Sequence, residues 1–165
     1  YTQIIFLTYM KEINITTLVR SVGYDELSAE DRHLVDAAKD ATKGSYAPYS
    51  QFKVGAAILL ENGEIAVGAN QENAAFPSGT CAERTACYHA GAVFPNTPFK
   101  KIAVAAFTNG DFQRLPISPC GACRQALLEY ETLYKTPIEV ILYGKEEIYI
   151  LPSVASLLPL CFKEF

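Results

Sequence analysis

The chain has 165 residues, half of them hydrophobic and 19% charged, with a formal net charge of −4. That length is enough for one domain with a real core. The acidic balance and the absence of a basic run disfavour a polynucleotide substrate, whose binding draws on clustered Lys and Arg, and no stretch approaches the roughly 18 consecutive apolar residues of a membrane span.

Residues 1–9 carry a short apolar patch, Ile4 to Leu7, without the basic leader or small-residue cleavage site of a signal peptide. Met10 is the only methionine, so residues 1–9 are expected to be an extension, with a single domain over residues 10–165. The alternation Ile13, Ile15, Thr17, Val19 predicts a short added strand over residues 13–19. Ser28 followed by Asp31 predicts a helix start. Leu34, Ala37, Ala38 and Ala41 form its inner stripe, and Gly44 is its stop. Residues 46–50 read as a loop. Phe52 to Leu60 is a strongly apolar strand, Asn62-Gly63 a hairpin turn, and Ile65 to Ala69 the returning strand. A polar loop, Asn70 to Thr80, leads to a helix from Cys81 to Val93. Lys101 to Thr108 is a buried strand, Cys120 to Leu133 a helix opened by Pro119, and Ile138 to Leu142 another apolar strand. Glu147 to Leu151 reads as a fifth strand and Val154 to Leu158 as a short helix. Strands alternating with helices after a hairpin predict an α/β fold: one three-layer α/β/α domain with a five-stranded mixed sheet and helices on both faces.

Five cysteines, an odd number, without a secretory leader point to metal binding or catalysis in a reducing cytoplasm rather than to a disulfide framework. Cys120 and Cys123 form a Cys-x-x-Cys pair. Their spacing puts both thiols on one face of a first helical turn, where the helix N-terminus favours the thiolate that zinc binds. Alone, the pair reads as a redox dithiol, as half of a structural zinc site or as a chance spacing. Cys81 at the start of the other helix supplies a third thiol, and three protein ligands leave a zinc position open, as in catalytic sites. Cys87 lies about 240° around the helix and about 9 Å along it from Cys81, and His89 about 12 Å along it, so neither completes the same shell. His33 and Cys161 read as ordinary packed or solvent-facing residues. Glu83, two residues after Cys81, is an unligated carboxylate suited to proton transfer beside an activated water. Three thiolates on Zn²⁺ carry a formal −1, which N–H···S bonds from Arg84 or Arg124 would offset.

These residues resemble a known family. Cys-Ala-Glu-Arg-Thr-Ala (81–86) with Ser-Pro-Cys-Gly-Ala-Cys-Arg-Gln (118–125) is similar to the zinc deaminase pattern. Tyr-Ala-Pro-Tyr-Ser-x-Phe (46–52), Asn-x-Glu-Asn-Ala (70–74) and Leu-Leu-Pro-x-x-Phe (157–162) resemble the small homotetrameric cytidine deaminases of nucleoside salvage. The resemblance spans about residues 28–162. It implies a cytoplasmic enzyme with one Zn²⁺ per subunit that deaminates cytidine and 2′-deoxycytidine hydrolytically, by attack of water at C4 with Glu83 as proton shuttle. It further implies that Phe52 packs on the pyrimidine, that Asn70 and Glu72 bind the ribose 3′-hydroxyl, and that the Ala82 N–H meets the base carbonyl. Ala74, Phe76 and Phe162 are implied to come from neighbouring subunits. Two departures stand out. Phe76 takes a place where the family often has Tyr, and the segments around residues 94–100 and 109–115 look longer than in compact members.

Overall fold

The computed structural model describes residues 10–163, so the expected extension at residues 1–9 lies outside the described residues. The elements in chain order are β1 (Arg20–Val22), α1 (Ala29–Ala41), β2 (Lys53–Leu60), β3 (Ile65–Ala69), α2 (Ala82–Val93), β4 (Phe99–Thr108), β5 (Asp111–Phe112), α3 (Gly121–Tyr134), β6 (Glu139–Tyr143) and β7 (Ile148–Leu151). The main path of the sheet runs β1-β7-β6-β4-β2-β3, with β5 added beside β4. Every pair is antiparallel except β4 with β6.

The α/β class and the helices on both faces hold, but the sheet has seven strands rather than five. The two unanticipated strands, β1 and β5, have three and two residues, too few to carry a legible alternation. The added strand expected over residues 13–19 does not form. That stretch is irregular, with Ile13, Ile15, Leu18 and Val19 exposed, and pairing begins only where Arg20 meets Ile150 of β7. Alternating β-branched residues make a strand only when a neighbour supplies the ladder. Most other boundaries shift by one or two residues. At the β2–β3 turn, Gly63 alone takes positive φ, at 87°. Its N–H donates to the Leu60 carbonyl (3.0 Å), while the Leu60 N–H reaches the Glu64 carbonyl (2.9 Å). The connection is therefore a type I turn closed by a left-handed glycine rather than a two-residue primed turn.

The central strands are apolar on both sides because both sides are covered. On β2, Val54, Ala56, Ile58 and Leu60 pack toward α2 and α3 with Ala82, Ala86, Ala90 and Leu127. Ala57 and Leu59 face the other way, toward Leu34, Val35 and Ala38 of α1. Ser28 caps α1, its Oγ accepting from the Asp31 N–H at 3.0 Å. Lys101 of β4 then ties that helix to the sheet through Asp31 (2.6 Å), Glu30 (3.1 Å) and Glu139 (3.3 Å).

Two glycines set how closely the helices approach. A Cβ on Gly55 would stand 2.1 Å from the Ala38 carbonyl oxygen of α1. One on Gly68 would stand 2.3 Å from the Ala86 nitrogen of α2. Both clashes are with backbone, which no rotamer change relieves. Gly68→Ala is therefore expected to push α2 off the sheet and to cost about 1–3 kcal/mol, the usual range for overpacking. Urea denaturation of the variant against wild type measures that cost, and an unchanged midpoint would contradict the packing described.

Candidate active site

Strand direction brings the site together. β3 and β4 both pair antiparallel with β2, which lies between them, so they run the same way and end at the same edge of the sheet. There Ala69 lies opposite Gly55, and Ala106 opposite Val54. The helices that follow, α2 and α3, both start at that edge, and the loop leading into β2 arrives there too. This is the carboxyl end of parallel-running strands, where α/β sheets gather ligands.

Cys81 is the N-cap of α2 and Cys120 the N-cap of α3, with Cys123 in the first turn. The Sγ atoms of Cys81 and Cys120 are 3.8 Å apart, and those of Cys120 and Cys123 are 3.5 Å apart. Three sulfurs held tetrahedrally at about 2.3 Å from a zinc ion stand about 3.8 Å from one another, so this donor set fits zinc in both chemistry and spacing. These three residues form the single metal-competent group of His, Cys, Asp and Glu side chains among the described residues. Among the described residues no fourth ligand joins the set.

The electrostatics favour thiolate at Cys81. The Cys81 thiol is drawn down to about 5, first by the hydrogen bond from Cys123 and then by Cys120 and Arg84. The Cys123 thiol is pushed up by its donation to Cys81, by burial, and by the charge of Glu83. Two helix N-termini add their partial positive charge to the cluster. Burial works against the charge of Arg84, but the sulfurs of Cys81 and Cys123 outweigh it and its pKa rises. Its Nε is buried without a hydrogen-bond partner.

Arg124 is placed differently. It donates from Nε to the Pro119 carbonyl (2.7 Å), from Nη1 to that of Leu157 (2.8 Å) and from Nη2 to Ser118 Oγ (2.9 Å). It fixes the segment entering Cys120 by holding oxygen atoms. Its side chain was not expected to reach Leu157, because that contact depends on how the C-terminal segment folds back.

Glu83 is 4% exposed. Burial raises its carboxyl above the ordinary range, with the Cys81 charge adding to the effect. It lines a cleft of about 740 Å³ together with Phe52, Asn70, Glu72, Phe76, Cys81, Ala82, Arg84 and Cys120. Ala82 opens α2, where backbone N–H groups have no intrahelical acceptor. Asn70 braces the cleft wall: its Oδ1 accepts from the Val54 N–H (2.8 Å) and its Nδ2 donates to the Phe52 carbonyl (2.9 Å). Glu72 Oε2 accepts from the Tyr49 and Ser50 N–H groups at 2.9 and 3.2 Å, and the Ser50 hydrogen bonds hold its carboxyl below the ordinary range. Phe76, 81% exposed, also lines this chain's own cleft, at its rim. Ala74 and Phe162 do not line it. Ala74 is exposed in the loop between β3 and α2, and the Phe162 carbonyl accepts from Gln125 Nε2 at 2.8 Å.

Tyr49, Val54, Thr80, Ile117 and Ser118 also line the cleft; Tyr49 and Ser118 fall within the quoted motifs, and the clue to the other three was only their proximity to motif residues. Cys87 and His89 stay apart from the metal group, as expected. Cys87 is fully buried, and burial pushes its thiol up to about 12. His89 Nδ1 lies 3.1 Å from the Val67 carbonyl. His33 is exposed, and Cys161 packs against the core.

Residues 28–138 match the family described as cytidine and deoxycytidylate deaminase zinc-binding region. The chain is 46% identical over 97 residues to a cytidine deaminase of Sporosarcina psychrophila, covering 59% of this chain and 67% of that one. It is 43% identical over 96 residues to one of Halalkalibacterium halodurans, covering 58% and 68%. Among solved structures it resembles a cytidine deaminase from Burkholderia pseudomallei, with a TM-score of 0.67, 43% identity, and 79% and 97% of the two chains covered.

Two outcomes are expected from the geometry. Cys120→Ala leaves two sulfurs and loses stoichiometric zinc, measured by plasma mass spectrometry on protein purified without chelator. Cys87, buried and protonated at any pH well below about 12, stays unalkylated in native protein treated with iodoacetamide at pH 8 and reacts only after denaturation, as read by peptide mass mapping.

Proposed function

Because the chain belongs to the cytidine and deoxycytidylate deaminase family, we propose that the cleft carries out hydrolytic deamination of cytidine and 2′-deoxycytidine, with Cys81, Cys120 and Cys123 holding zinc and Glu83 moving the protons. The observation that carries this reading is a buried carboxyl, Glu83, in the same open cleft as a three-sulfur group spaced for zinc. Zinc held there supplies Lewis acidity that brings the pKa of water toward about 7.

The side chains do the rest. Glu83 takes a proton from the attacking water and delivers it to N3 of the cytosine ring. It then carries the second water proton to the amine leaving C4, so that cytidine and water become uridine and ammonia. The raised pKa of Glu83 supports this role, because a group that must both accept and give a proton works best when its pKa lies near the working pH. Phe52 packs on the pyrimidine and the Ala82 N–H meets the base carbonyl. Asn70 and Glu72 hold the ribose 3′-hydroxyl, while Glu72 Oε2 also pins the loop through the Tyr49 and Ser50 N–H groups. Arg84 offsets the charge of the three thiolates, and Arg124 positions the turn that bears Cys120.

The same reading takes residues 10–165 as one deaminase domain working as a cytoplasmic homotetramer, with Ala74, Phe76 and Phe162 serving a neighbouring subunit's cleft. Supporting the assembly, Phe76, Leu160 and Phe162 are 81, 85 and 66% exposed, more apolar surface than one chain covers. A reducing compartment suits a centre built from thiolates.

Glu83→Gln is expected to keep one zinc per chain while kcat/KM for cytidine falls by about 10²–10⁴, the range for general acid–base catalysis. Near wild-type turnover would remove Glu83 from the mechanism. Cytidine and 2′-deoxycytidine should both be deaminated, and cytosine and adenosine poorly. Comparable rates on free cytosine would show that Asn70 and Glu72 do not read the sugar.

A further inference from the structure

One wall of the cleft is built by a segment that runs ahead of the Cys120 motif and meets it only at Ser118. Residues 113–118 run as a strap from β5 to Pro119 and Cys120, and Ile117 and Ser118 of this strap line the cleft. The strap is held from outside by the turn joining β6 to β7. The Lys145 N–H donates to the Gln113 carbonyl and the Glu146 N–H to the Arg114 carbonyl, both at 3.0 Å. Arg114 pairs with Glu146 through two hydrogen bonds, 2.7 and 3.1 Å, and Lys145 pairs with Asp111.

Next to these anchors lies Gly144, which is buried. A Cβ there would stand 2.7 Å from the Leu115 carbonyl carbon, 2.7 Å from the Pro116 nitrogen and 2.8 Å from the Arg114 carbonyl oxygen. All three are backbone atoms of the strap, so any side chain at residue 144 must displace it. Its φ is not in the left-handed region, so what demands glycine is this contact and not the backbone conformation.

We propose that Gly144 is a positioning residue for substrate binding: the β6–β7 turn seats the 113–118 strap, and the strap sets where Ile117 and Ser118 meet the nucleoside. This rests on the reading of the cleft as a cytidine deaminase site. The effect falls on binding rather than on the chemical step, because the reacting groups are fixed independently. Glu83 and Cys81 belong to α2, and Arg124 holds the strap's end at Ser118 together with Pro119 and Leu157, so a shift at residues 114–116 is taken up ahead of the turn bearing Cys120.

The test compares Gly144→Ala with wild type and with Gly63→Ala. The latter strains a left-handed turn at the opposite end of β2, with open space around it, and so controls for destabilisation alone. Gly144→Ala is expected to raise KM for cytidine at least about five-fold with kcat within about two-fold. It should raise the Kd of uridine, measured by calorimetry, in parallel, and keep one zinc per chain. Gly63→Ala is expected to lower the melting temperature without moving KM. Should Gly144→Ala fail to fold, Arg114→Ala/Glu146→Ala loosens the strap without overpacking it. KM should then rise at least about two-fold, within reach of a lost bidentate pair. An unchanged KM and uridine Kd in the variant that folds, or a kcat that falls in step with lost zinc, would overturn the positioning role. Wild-type protein without cytidine turnover would overturn the functional reading instead, and uridine binding would still report on the strap.

Discussion

Two helices starting at one point on the sheet are the constraint on which everything else depends. β2 lies between β3 and β4 and runs against both, so α2 and α3 leave the sheet at the same edge and point their N-termini at a shared space. Each N-cap is a cysteine. Had either strand run the other way, Cys81 and Cys120 would lie a strand length apart, and Cys120-x-x-Cys123 would be an isolated pair. The sulfur separations of 3.5 and 3.8 Å follow from topology first and side-chain choice second. The two helix termini also supply the partial positive charge that a cluster of thiolates needs.

Close packing keeps that arrangement still. Gly68 lets α2 sit on β3, and Gly55 lets α1 sit on the opposite face of β2. Gly144 lets the strap lie against the β6–β7 turn. In each case the absent side chain matters because the opposing atom is backbone. The same economy appears in polar contacts. Asn70 and Glu72, the residues proposed to bind ribose, already hold the loop and strand that present Phe52, so the same side chains serve as scaffold. Arg84 and Arg124 look equivalent in sequence, each following a ligand-bearing turn. The fold separates them: the sulfurs of Cys81 and Cys123 raise the pKa of Arg84, whereas Arg124 donates to the carbonyls of Pro119 and Leu157.

The sequence reading went furthest where chemistry is local. Helix starts at Ser28, Cys81 and Cys120 were legible because caps and first turns are written within a few residues. The β2–β3 hairpin was legible because Gly63 must supply a left-handed turn residue. The failures were failures of partnership. Residues 13–19 alternate like a strand yet find no ladder, while Arg20–Val22 and Asp111–Phe112 pair without any alternation to announce them. Ile117 and Ser118 were not singled out as lining residues, since a strap's usefulness depends on a turn some thirty residues further along the chain.

By itself, the sequence placed Cys120 and Cys123 on one face of a helical turn, put Glu83 two residues after Cys81, and kept Cys87 and His89 away from Cys81, because each of these follows from spacing along a single helix. Only the tertiary structure decided the rest. It put the three sulfurs within bonding range of one ion, buried Glu83 enough to raise its pKa, and turned Arg124 away from the metal group. It also built one wall of the cleft from a segment held by Gly144. These depend on strand direction and on backbone meeting backbone across the fold, and no local pattern encodes either.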